Sequence, residues 1–60
     1  MKIEIKEVWN GDGKSQQLVI LEVPIGINPY KIVREWIWEN RRDLELADGL
    51  FSHGYCAREI

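Results

Sequence analysis

Few residues in this sequence have the types and spacing for covalent chemistry. His53 and Cys56 lie three positions apart, and an imidazolium beside a thiol favours the reactive thiolate. In a strand, residues three apart project to opposite faces. The pair therefore reads as a small core cysteine and a loop histidine. One His, one Cys and scattered carboxylates fall short of the clustered ligands that zinc requires. Gly13-Lys14-Ser15 matches the tail of a phosphate-binding loop, but Val8 stands where the first glycine of that motif belongs. Glu35, Glu39 and Asp43 repeat at i, i+4 spacing. A row on one exposed helix face lacks the desolvation and pKa separation that an acid/base pair needs. The expectation is a protein that is not an enzyme and carries neither metal nor cofactor.

What remains is surface chemistry. Trp38 falls on the polar side of a helical pattern, with Arg34 four residues before it and Arg42 four residues after. Both guanidinium groups can reach its ring. Tryptophan and arginine also lead the residues that anchor binding partners. Leu18 and Ile20, with Val8, are expected to form an apolar strip on the outer face of a strand, which is a template for another chain. A homodimer closing through the second strand is the competing use of that strip. The row Glu35, Glu39 and Asp43, continued by Glu45 and Asp48, could imitate nucleic-acid phosphates in a basic groove.

These side chains need a scaffold. Lys2–Trp9 alternates Ile3 and Ile5 with Glu4 and Lys6, the period of a half-buried strand. The pattern slips at Glu7, where an apolar residue is due, and a bulge near Lys6-Glu7 would account for it. Asn10-Gly11-Asp12-Gly13 is turn chemistry. Gln17–Ile25 is a second strand, ended by Pro24. Asn28-Pro29 opens a helix as N-cap and first residue, running to about Arg42 or as far as Ala47. Tyr30, Val33, Trp36, Ile37, Asn40, Leu44 and Ala47 share the face expected to lie on the sheet. Tyr55–Ile60 is a third strand. The predicted fold is α+β: one antiparallel three-stranded sheet, order 2-1-3, with one helix on one face, in the sequence β-β-α-β.

Sixty residues allow one domain, 1–60, with a thin core. The formal net charge of −2 argues against a general nucleic-acid binder. A lone cysteine fits a reducing compartment, and no apolar run reaches the length of about 18 residues needed to span a membrane. No signal peptide is read at Met1-Lys2-Ile3-Glu4. The expected location is cytoplasmic.

One stretch carries a resemblance. Glu22-Val23-Pro24-Ile25 closes the second strand, Glu35-Trp36 lies in the following helix, and Arg58 stands in the last strand. This order resembles the small inhibitors of bacterial RNA polymerase made by T7-type phages. The resemblance implies a β-β-α-β domain that binds the jaw of the polymerase β′ subunit and blocks open-complex formation in the host cytoplasm. It implies that Arg58 contributes to binding. The family's second arginine in that strand is replaced here by Cys56. The leading expectation is thus a protein-binding inhibitor of a host machine such as RNA polymerase. The alternatives are an anti-defence inhibitor of a nuclease (an anti-CRISPR or anti-restriction type) acting through Glu35, Glu39 and Asp43, and a single-strand-binding module using Trp38, Arg34, Arg41 and Arg42.

Overall fold

In the computed structural model, residues 1–50 and 52–60 are described. Strand β1 spans Lys2–Trp9, β2 Lys14–Glu22, helix α1 Pro29–Asn40 and β3 His53–Glu59. The sheet is antiparallel with order β2-β1-β3, and its central strand is the most buried. This is the α+β fold and strand order that the alternation and turn chemistry predict. β2 begins three residues earlier than expected, and β3 begins two earlier.

The hairpin closes where Trp9 pairs with Lys14, and the Asp12 amide donates to the Trp9 carbonyl at 3.1 Å. Gly13 takes a φ of 68°, the left-handed region that costs other residues a Cβ clash. Past the hairpin, the register shifts between Ile5 and Lys6: Ile5 faces Val19, Lys6 faces Gln17, and Leu18 is the extra residue. The irregularity predicted on β1 is accommodated by β2. It also corrects the expectation for Leu18. Instead of joining Ile20 on the outer face, Leu18 is half-buried and packs against the core, because an extra residue resets the alternation.

The core joins Ile3 and Ile5 of β1 to Val33 and Ile37 of α1, with Val23 and Leu44 closing its ends. Ile5 and Val23 are wholly buried. Burial of side chains this size contributes about 1.5–3 kcal/mol each. The Asn28 side chain accepts the Tyr30 amide at 3.0 Å, so the predicted N-cap forms.

The helix stops at Asn40, short of both expected ends. Its last bond runs from the Arg41 amide to the Ile37 carbonyl at 2.7 Å. A turn then lets the Leu44 amide reach the Arg41 carbonyl at 2.9 Å. Leu44 enters the core from this turn rather than from the helix, and Ala47 lies outside the helix too. Tyr30 and Asn40, expected on the sheet-facing stripe, are exposed. The helix is rolled toward half-buried Ile32 and Trp36, which turns Tyr30 outward.

After that turn, residues 45–47 run along β3. The Tyr55 amide donates to the Glu45 carbonyl at 2.9 Å, and the Ala47 amide to the Tyr55 carbonyl at 3.0 Å. Gly54 permits this approach, since a Cβ there would sit 2.1 Å from the Glu45 carbonyl oxygen. One sheet edge is thereby covered. β2 forms the other edge and has no strand beyond it among the described residues.

Candidate partner-binding site

The outward side of α1 carries the aromatic groups that the thin core leaves out. Trp38 is 64% exposed and Tyr30 73% exposed. The Arg42 guanidinium carbon lies 4.8 Å from the Trp38 ring centroid, the cation–π contact that the four-residue spacing predicts. Trp38 forms a ridge between two shallow grooves. One is bordered by Asn28, Tyr30, Lys31, Arg34, Glu35 and Glu39. The other runs toward Leu44, Leu46 and Tyr55, with Arg42 and Glu45 beside it. Among the described residues, Lys31, Arg34 and Arg42 make no ion pair.

The acidic row is shorter than the spacing implies. Glu35 and Glu39 border the first groove. Asp43 lies beyond the helix end, and both of its oxygens are 3.2 Å from Arg41 nitrogens. That guanidinium holds the Asp43 carboxyl below the usual carboxylate range. Two carboxylates, not three, are presented. Arg41 likewise leaves the set of outward cations expected with Arg34 and Arg42, because it is drawn inward.

The remaining sequence-marked residues sit elsewhere. Arg58 is on the far face of the sheet, where its Nε donates to Glu4 Oε1 at 3.0 Å. Lys6 Nζ lies 3.8 Å from the same oxygen. The outer face is therefore charged at its centre, with Ile20 exposed beside it, and the apolar strip of Leu18, Ile20 and Val8 is not continuous. His53 and Cys56 lie on opposite faces as strand alternation requires, but His53 opens β3 instead of lying in a loop, and Cys56 sits opposite Lys6 on the outer face, outside the core.

Sequence reasoning missed a polar cluster at the end of the sheet beyond the helix. Glu7 is a buried carboxylate on the helix-facing side. Arg41 donates to both of its oxygens, at 3.1 and 3.3 Å, and His53 Nε2 lies 2.6 Å from Oε2. The histidine bond, then the arginine bonds, lower the Glu7 pKa, while Asp43 first and Glu7 second raise that of Arg41. The Trp9 and His53 rings stack with centroids 5.1 Å apart. The signal was present: Glu7 is the charged residue where an apolar one is due, and a buried carboxylate must find cations. Its partners, 34 and 46 residues away, carry no local mark.

Among the described residues no cluster of His, Cys, Asp and Glu can hold a metal ion, and no helix is long and apolar enough to cross a membrane. Comparison with family models, with curated proteins and with solved structures finds no match.

Proposed function

We propose that this chain is a non-catalytic protein-binding module that acts by occupying a surface of a larger macromolecule through the outward face of α1. The observation that carries this reading is Trp38, exposed between two grooves with a guanidinium over its ring. An exposed indole with nearby arginines is the composition of an interface hot spot. It does nothing for a core it does not enter.

The target class follows from the Glu22-Val23-Pro24-Ile25 resemblance: a bacterial host machine, RNA polymerase first, bound in the manner of a phage inhibitor. In that resemblance Arg58 contributes from the opposite face of the sheet, so the two faces make separable claims. Purified bacterial RNA polymerase tests them. Stoichiometric binding and reduced open-complex formation support the inhibitor reading. Loss of binding in Trp38→Ala assigns the contact to the helix face, and loss in Arg58→Ala assigns it to the sheet. Absence of binding at tens of micromolar removes polymerase as the target and leaves the module's partner to be sought elsewhere.

A further inference from the structure

The surroundings of Trp38 define the partner's chemistry, and the inference rests on that face being the docking surface. At about 100° per residue, Lys31, Arg34 and Trp38 fall within one narrow outward sector of α1, and Arg42, just past the helix end, lies over the Trp38 ring. Glu35 lies at its margin and Glu39 beyond it. The three cations nearest the indole are unpaired among the described residues, while Arg41, Lys6 and Arg58 are each engaged by a carboxylate of the chain. Among the described residues Lys2 and Lys14 are also unpaired, but they stand singly on separate strands, whereas Arg34 and Arg42 border one groove together with Trp38.

We propose that the Trp38 face docks an acidic segment of a partner protein: an apolar group against the indole, flanked by carboxylates that reach Arg34 and Arg42. Arginine suits this role because its planar fork takes a carboxylate in two parallel bonds while its face lies on an aromatic ring. Glu35 and Glu39 border the adjoining groove and disfavour a polyanion running the length of the helix. They set the partner's limit at a short acidic stretch, and they argue against a nucleic-acid strand or an anionic lipid surface.

The test uses the full chain, labelled with nitrogen-15, and synthetic twelve-residue peptides. Each has one central Trp or Leu pair flanked by Glu, by Gln or by Lys. The readout is the indole N–H resonance of Trp38, assigned by its loss in Trp38→Ala. The Glu peptide is expected to shift this resonance and to bind about fivefold tighter than the Gln peptide in low salt, the yield of two exposed ion pairs. The preference is expected to vanish as salt rises. In Arg34→Glu/Arg42→Glu the preference should pass to the Lys peptide, with an unchanged melting temperature showing that the fold is intact. Four outcomes overturn the proposal: equal binding of Glu and Gln peptides, stronger binding of the Lys peptide to the wild type, tighter binding of a twelve-nucleotide single strand, or binding by none of the peptides. Equal binding through Trp38 would leave the docking role of the face standing and remove only its charge selectivity. Binding by none of the peptides removes the acidic-segment proposal, while the function proposed for the face is judged separately by capture of its natural partner.

Discussion

Two tryptophans of this molecule sit beside basic side chains, and their fates differ. Trp9 stacks on His53, which contacts the buried carboxylate of Glu7, which in turn accepts two bonds from Arg41. Both basic side chains in that set, Arg41 and His53, meet the Glu7 carboxylate of the same chain. Trp38 carries Arg42 over its ring, yet neither Arg42 nor its neighbour Arg34 has a carboxylate partner among the described residues. The contrast shows how a small chain divides its polar groups. A closed set fastens the turn after the helix to the sheet. An open set can only be completed from outside.

The comparison breaks first at the core that both regions lean on. Ile5→Ala, beneath both, should cost about 2–5 kcal/mol, read by denaturant unfolding, because the site is wholly buried. Gly54→Ala should come next, at about 1–3 kcal/mol by analogy with overpacked sites, since its new methyl meets the backbone of residues 45–47. Loss of amide protection at Tyr55 and Ala47 would locate the damage.

The closed set is sharpened by pH. Glu7 and Asp43 both have folded pKa values below their ordinary range. Groups so shifted stabilise the fold above their unfolded pKa, and that stability is lost as pH falls through the folded value. Melting temperature should therefore drop on acidification below about pH 4.5. Glu7→Gln should lower stability at pH 7 and flatten that acid limb. An acid limb as steep as wild type would show that Glu7 does not carry it.

The smallest effect on stability belongs to the open set. Trp38→Ala and Arg42→Ala should each change unfolding free energy by no more than about 0.5 kcal/mol, as exposed positions do. A loss comparable to Glu7→Gln would mean that Trp38 is structural and that the contrast is false.

The sequence made the architecture legible because each element carries a local mark. Ile3 and Ile5 set the period of the central strand, Asn10–Gly13 set the hairpin, and Asn28-Pro29 set the helix start. Spacing placed Trp38 on the polar side of the helix, while its exposure depended on where the tail runs, and the Arg42 contact forms although Arg42 lies past the helix end. What was not legible depended on contacts across the fold. The helix end is set by where Arg41 and Leu44 are drawn, the position of Leu18 by a bulge, and the shortened acidic row by the turn that removes Asp43. Tyr30 was misassigned because a helical wheel gives the stripe but not how far the helix rolls on its sheet. The Glu7 cluster needed three segments to meet, and only its anion was marked in advance.

The measurement that bears most directly on the account is quantitative affinity capture from bacterial lysate, comparing wild type with Trp38→Ala at equal folded concentration. The account predicts a stoichiometric partner with the wild type and its near-complete loss with the variant. No stoichiometric partner, or a partner recovered equally by both proteins, would contradict it.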